Sequence, residues 1–205
     1  MKTATAILVA LDGKLVELTV GALEWSIREV TADEVAAFDR DGFVVLRGIL
    51  DPAVVLGMAD PVDRALGAPE TADVGAFAGL GEQPPFRAGV DHWRADPAFA
   101  AFSLDPAMGA IAARLLASTA INLYEDSILV KEPGTVEKTM FHQDLPYFHV
   151  EGTQVCTTWC PLDPVDAASG AVRFAVGSHL TGTRYRPNLF VTDEPLPGTE
   201  GEVVP

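Results

Sequence analysis

The sequence is poor in cysteine, with two among 205 residues. Cys156 and Cys160 lie four residues apart in a segment whose pattern predicts a strand, so their Cα atoms would be ~13 Å apart. A disulfide needs a Cα separation below roughly 7 Å, and the spacing matches no zinc-binding pattern. We therefore expect two buried, reduced cysteines, as in a protein of the cytoplasm.

Basic residues and long apolar runs are also scarce. Fourteen Lys and Arg against 29 Asp and Glu give a formal net charge of −15, which argues against nucleic-acid binding, because a phosphate backbone requires a basic face. No apolar run reaches the roughly 18 residues of a membrane span. The apolar stretch at 6–11 is too short for the core of a signal peptide. The sequence gives no indication of oligomeric state.

The length of 205 residues predicts one domain, 1–205. Its parts are an N-terminal hairpin extension at 1–30, a helical buttress with an irregular lid at 31–120, and a β-rich core at 121–205. In the extension, Asp12-Gly13 lies between two apolar runs and predicts a tight turn.

Local capping signals mark the predicted helices. Thr31-Ala-Asp-Glu34 is a capping box, and the helix that it begins should run to about Arg40. Asp51-Pro52 starts a second helix, which Pro61 should kink or split. The other elements predicted before residue 121 are a strand at 43–46, an irregular segment at 67–95, and helices at 97–102 and 105–118.

From Ile121 onward the pattern changes to short strands between Gly, Pro and Ser turns. The predicted strands are 121–131, 139–149, 153–162, 170–176 and 184–192. Closely spaced strands favour a sandwich or barrel. Helices first and strands afterwards predict a mainly β, α+β fold, namely a jelly roll with an N-terminal helical buttress.

The segment Phe141-His142-Gln143-Asp144 is the strongest candidate for chemistry. Side chains alternate along a strand, so His142 and Asp144 should project to the same side. An imidazole beside a carboxylate supplies two of the three ligands in the facial triad of non-haem iron(II) oxygenases. Taken alone, the pair is a weak signal, since a surface strand with two polar groups has the same pattern.

The blocks around this pair occur in a specific order. They are Leu129–Gly134, Phe141–Phe148, Trp159–Asp163, Ser169–Phe174 and Gly177–His179, preceded by Phe38–Arg47. In this order they resemble the phytanoyl-CoA dioxygenase family of iron(II)/2-oxoglutarate oxygenases, over about residues 31–186.

The resemblance implies a double-stranded β-helix (a cupin-like jelly roll), with iron(II) and 2-oxoglutarate as cofactors and ascorbate as an optional addition. It implies that His142 and Asp144 are the catalytic metal ligands. It also places Gln143 and Trp159 at the co-substrate pocket, with Lys131 as a weaker candidate. The implied reaction couples decarboxylation of 2-oxoglutarate to hydroxylation of a small-molecule substrate. A carboxylate at position 144 favours hydroxylation over halogenation.

In the family, a distal histidine ligand and an arginine for 2-oxoglutarate lie downstream of the Gly-Ser-His turn. No histidine follows His179 in this sequence, and Arg184 and Arg186 come too soon after the turn. His149 would lie on the opposite strand face, about 23 Å from His142. We therefore expect a truncated form that lacks its last strands and is weakly active or inactive. His92 remains a candidate for facing substrate.

Two alternatives stay open. The first is a degenerate, non-catalytic jelly roll that serves as a binding or assembly module. The second is a jelly roll of another class, such as a sugar-binding or isomerase barrel, which would bind neither iron nor 2-oxoglutarate.

Overall fold

A five-stranded antiparallel sheet organises the described part of the chain. The computed structural model describes residues 2–9, 28–77 and 84–205, with 2–9 described by their backbone. In sheet order the strands are β2 (Thr71–Asp73), β3 (Phe86–Val90), β4 (Asn122–Lys131), β1 (Lys2–Val9) and β5 (Val155–Pro161). The mixed helix and strand content is compatible with a cupin-like fold, but the described residues do not form the second sheet of the predicted jelly roll.

Six α-helices precede β4 in the described residues. They are α1 (Ala32–Asp41), α2 (Pro52–Gly57), α3 (Ala59–Ala65), α4 (Val74–Phe77), α5 (Pro97–Ser103) and α6 (Pro106–Leu115). The starts of α2, α5 and α6 share one device, an aspartate cap followed by proline at the first helical position. The carboxylate accepts a hydrogen bond from a backbone N–H that has no partner within the helix. Proline has no backbone N–H, so it leaves no further donor unpaired. None of the helices in the described residues combines the length and hydrophobicity of a membrane span.

The predicted break at Pro61 is confirmed. The chain leaves α2 at Met58, three residues before Pro61, and Pro61 lies in the first turn of α3. Proline cannot donate the helical hydrogen bond, and its ring collides with the carbonyl four residues earlier. Two short helices therefore replace one long one.

The hydrophobic core lies between the helices and one face of the sheet. Ile128 and Val130 of β4 are 0% and 2% exposed and pack with Phe99 and Phe102 of α5. Because side chains alternate along a strand, Lys131 and its neighbours at every second position point to the opposite face. That opposite face borders the candidate metal ligands.

β1 occupies an interior position in this sheet. It pairs antiparallel with β4 on one side and β5 on the other. The register with β4 shifts between Ile7, opposite Glu125, and Leu8, opposite Leu123, so that Tyr124 is the extra residue of a bulge. The Asp12-Gly13 turn and the second arm of the predicted hairpin lie outside the described residues.

Several predicted strands are not strands in the structure. β4 and β5 confirm the strands predicted at 121–131 and 153–162, but 43–46, 139–149, 170–176 and 184–192 form no ladder beyond one bridge between Asn188 and Pro195. Conversely, the irregular segment predicted at 67–95 contains β3, which pairs with β4. Pairing with a distant strand, which local composition does not report, decides each of these cases.

Candidate metal centre

His142 and Asp144 lie side by side in the segment of chain that connects β4 to β5. Residues 139–143 form no ladder, and a short 3₁₀ turn at Leu145–Tyr147 begins directly after Asp144. His142 Nε2 and Asp144 Oδ1 are 3.2 Å apart. The two groups therefore converge, although an unpaired segment and a turn bring them together rather than a strand.

A backbone hydrogen bond fixes the orientation of the His142 ring. Nδ1 lies 2.8 Å from the carbonyl oxygen of Met140, which can only accept, so Nδ1 donates and Nε2 faces Asp144. Burial lowers the pKa of His142, but the hydrogen bonds to Asp144 and Met140 together raise this pKa above its ordinary value. Nε2 is thus the nitrogen that a metal would take, in exchange for its proton.

The Asp144 carboxylate is held from two sides. Its Oδ2 accepts a hydrogen bond from Thr157 Oγ1 of β5 at 2.6 Å, while Oδ1 faces His142. Burial raises the pKa of Asp144, but the hydrogen bonds from His142 and Thr157 outweigh it and hold this pKa below its usual range. An ionised carboxylate next to an imidazole is a donor pair that divalent transition metals accept.

Two aromatic rings close over the imidazole. The ring centroids of Phe190 and Tyr147 lie 5.0 and 5.6 Å from that of His142, both edge-on, and the two rings stack on each other at 4.6 Å. Phe190 has a φ of 62°, a left-handed conformation that a residue with a bulky side chain keeps only when its surroundings impose it.

Asn188 imposes that conformation. It is 5% exposed, and its side-chain oxygen accepts from the Phe190 N–H while its side-chain nitrogen donates to the Phe141 carbonyl. Its backbone N–H donates to the Tyr147 hydroxyl, which in turn donates to the Asn188 carbonyl. The network binds the loop around Asn188 to the residues on both sides of the metal pair.

Gln143, predicted to line the co-substrate pocket, uses both ends of its side-chain amide on the backbone. The nitrogen donates to the Thr183 carbonyl and the oxygen accepts from the Tyr185 N–H, each at 2.9 Å. These bonds tie the segment that carries the metal pair to residues 183–185. Contact of Gln143 with 2-oxoglutarate stays a prediction.

Trp159 and Lys131 belong to the two strands that flank β1. Trp159 lies two residues beyond Thr157 on β5, hence on the same sheet face. Lys131 donates to the Glu137 carbonyl at 3.0 Å and lies over the Phe86 ring at 4.6 Å. Burial lowers the pKa of Lys131, more than the neighbouring Glu137 raises it. Their predicted roles toward 2-oxoglutarate remain predictions.

The other three histidines lie elsewhere. His92 is 3% exposed and packs on Phe99, which places it in the core. His179 donates to the Asp39 carbonyl, so its turn position is satisfied by backbone, and His149 is exposed. Within the described ranges, His, Cys, Asp and Glu form no group of three or more that could hold a metal ion.

The residues that support the pair are not among those predicted from the sequence. One feature of the sequence could have indicated Thr157: it lies two residues before Trp159, so the two side chains are expected on the same face of a strand. No local pattern indicates Asn188 or Phe190, because their partners near His142 lie more than 40 residues away in the sequence.

His142 and Asp144 thus form a pair of nitrogen and oxygen donors beside an antiparallel sheet, and the facial triad of mononuclear non-haem iron enzymes contains two donors of these types among its three. The sequence model of the phytanoyl-CoA dioxygenase (PhyH) family matches residues 38–202. The chain therefore belongs to the phytanoyl-CoA dioxygenase family, as the ordered motifs predicted. No curated protein and no solved structure shows significant similarity to the chain.

Proposed function

We propose that the protein is an iron(II)/2-oxoglutarate-dependent dioxygenase that hydroxylates a C–H bond of a small molecule. The observation that carries the proposal is the approach of His142 Nε2 to Asp144 Oδ1, 3.2 Å apart, within the span matched by the family. Family membership supports the class of reaction, and the pair supports the location of the metal.

The donor set fits two of the three protein positions of an iron(II) facial triad. His142 through Nε2 and Asp144 through Oδ1 would hold the metal. Iron(II) and 2-oxoglutarate, when bound, supply the activation of dioxygen that C–H hydroxylation requires. The Met140 carbonyl and the Thr157 hydroxyl orient the two ligands, and Phe190 shields the imidazole.

A calorimetric titration with manganese(II), with and without 2-oxoglutarate, tests the metal site. We expect the wild type to bind, and His142→Ala and Asp144→Ala each to lose at least roughly tenfold in affinity, because a single remaining donor holds a divalent ion poorly. His149→Ala is the matched control, an exposed histidine outside the pair. Equal affinity in the wild type and His142→Ala would overturn the proposal.

Release of succinate from 2-oxoglutarate tests catalysis by this 205-residue chain. We expect weak or no turnover, because two protein donors hold iron(II) more loosely than the three of a complete facial triad. A robust rate that His142→Ala abolishes would contradict this expectation and establish full activity. A non-catalytic binding or assembly module would also lack turnover. Manganese(II) binding that 2-oxoglutarate does not change would favour that module.

A further inference from the structure

Thr157 makes a hydrogen bond that bears directly on the metal pair. Its Oγ1 lies 2.6 Å from Asp144 Oδ2, and an ionised carboxylate can only accept, so the threonine hydroxyl donates. Hydrogen bonds to a charged group are the short and strong ones, worth roughly twice a neutral bond. The Asp144 side chain therefore has one preferred orientation before any metal arrives.

That orientation assigns different tasks to the two carboxylate oxygens. Oδ2 is occupied by Thr157, while Oδ1 faces His142 Nε2 at 3.2 Å. A carboxylate without such a partner can rotate about its terminal bond, where the torsional preference is broad. A partial rotation would turn both oxygens away from the imidazole.

The hydroxyl group that donates this hydrogen bond belongs to a strand of the sheet. Thr157 is the third residue of β5, and the ladder with β1 places it opposite Ile7. Asp144 lies on an unpaired segment that ends in a 3₁₀ turn. A hydroxyl from the sheet thus anchors a ligand from a loop, and sites supported by rigid elements hold their geometry best.

We infer that Thr157 is a positioning residue, which presents Asp144 to the metal as a one-oxygen ligand beside His142. The inference rests on the proposed function and adds the group that orients one of its ligands. Outer hydrogen-bond partners of metal ligands are typically worth 10- to 100-fold in metal affinity. Loss of the hydroxyl should therefore weaken binding without removing a ligand.

The test compares Thr157→Val, which keeps the branched shape, with Thr157→Ser, which keeps the hydroxyl. Thr157 is exposed, so valine opens no cavity. Manganese(II) affinity, measured by calorimetry and by electron paramagnetic resonance of the free ion, should fall roughly 10- to 100-fold in Thr157→Val and recover in Thr157→Ser. Thr153→Val, an exposed threonine just before β5, is the matched control and should bind as the wild type does.

The outcomes separate this inference from the proposed function. Wild-type binding that Thr157→Val retains, or that Thr157→Ser loses equally, overturns the role of Thr157 alone. Failure of the wild type to bind manganese(II) overturns both. Circular dichroism and the melting temperature should be the same in all variants, which distinguishes an oriented ligand from a damaged fold.

Discussion

At the residue scale, Gly42 shows how one backbone conformation holds two distant segments together. Gly42 ends α1 with a φ of 82° and donates its N–H to the Phe38 carbonyl. A Cβ atom at Gly42 would overlap the ring of His179. That ring is held there by a hydrogen bond to the carbonyl of Asp39, which belongs to α1. Two costs, strain and overlap, therefore oppose any side chain at this position.

We predict that Gly42→Ala lowers the free energy of unfolding by about 2–4 kcal/mol. The left-handed backbone accounts for about 1–2 kcal/mol of this loss, and overlap with His179 accounts for the rest. Gly48→Ala is the control, because Gly48 has a φ of 58° with open space around it and should show the backbone cost alone. Urea unfolding measures both. Adding His179→Ala should recover part of the Gly42→Ala loss; equal losses in the two glycine variants would contradict the overlap.

Asp126 is a buried carboxylate whose protonation should affect stability. It is 2% exposed and accepts from the Trp93 N–H and the Ser103 hydroxyl. Burial raises the pKa of Asp126 to about 6, against the hydrogen bonds that lower it. Because the folded state binds this proton more tightly than the unfolded state, the contribution is full below about pH 4 and is lost as pH rises through about 6.

We predict that Asp126→Asn flattens the pH dependence of stability between pH 4 and 6 and stabilises the protein at pH 7. At roughly 1.4 kcal/mol per pKa unit, the gain is at most about 3 kcal/mol. Thermal unfolding across this pH range measures it. Glu200→Gln removes an equal charge from an exposed site and should leave the slope unchanged; a slope that survives in Asp126→Asn would refute the assignment.

At the element scale, α1 depends on its N-terminal cap. The Thr31 hydroxyl accepts from the Glu34 N–H, and the Glu34 carboxylate accepts from the Thr31 N–H. We predict that Thr31→Ala costs about 1 kcal/mol of unfolding free energy, because one helix-end N–H loses its partner. Thr31→Ser keeps the hydroxyl and should cost less than half as much in the same urea titration. Equal costs would assign the effect to the lost methyl group instead.

The helices with a capping residue were predictable from the sequence because their signals are local, whereas α4 lies in the segment predicted to be irregular. The capping box at Thr31 and the Asp-Pro starts each lie within four residues of the hydrogen bonds that they make. The strand predictions were less accurate, because a strand forms only when it pairs with another segment, which is often distant in the sequence. Val172 and Phe174 alternate as a strand would, yet Phe174 stacks on Phe43 at 4.7 Å and makes no ladder.

The candidate site divides in the same way. The sequence predicted that the His142 and Asp144 side chains lie together, and the structure places them 3.2 Å apart. An unpaired segment and a turn bring them together, in place of the predicted strand. Their supports come from a strand 13 residues further on, at Thr157, and from Asn188, whose side chain reaches back 47 residues to Phe141. Contacts of such sequence separation leave no periodic pattern, so the proximity of the two side chains could be predicted while the residues that orient them could not.

At the scale of the whole molecule, the net charge of −15 acts on every element at once. Like charges on a compact surface repel, so folding brings them closer and costs free energy. Dissolved salt screens this repulsion, because the Debye length shortens from about 30 Å at 0.01 M to about 8 Å at 0.15 M ionic strength. Surface ion pairs such as Arg64 with Asp96 weaken in salt, but exposed pairs contribute little.

We therefore predict that the melting temperature rises by several degrees between about 0.01 M and 0.3 M sodium chloride at pH 7, since screening of the repulsion outweighs the loss of exposed pairs. The control is the same series near pH 5, close to the sequence pI of about 4.5, where protonated carboxylates leave less repulsion to screen and the rise should shrink. Differential scanning calorimetry measures both series. A melting temperature that falls with salt at pH 7 would mean that attractive pairs, rather than the acidic excess, dominate the electrostatics of the fold.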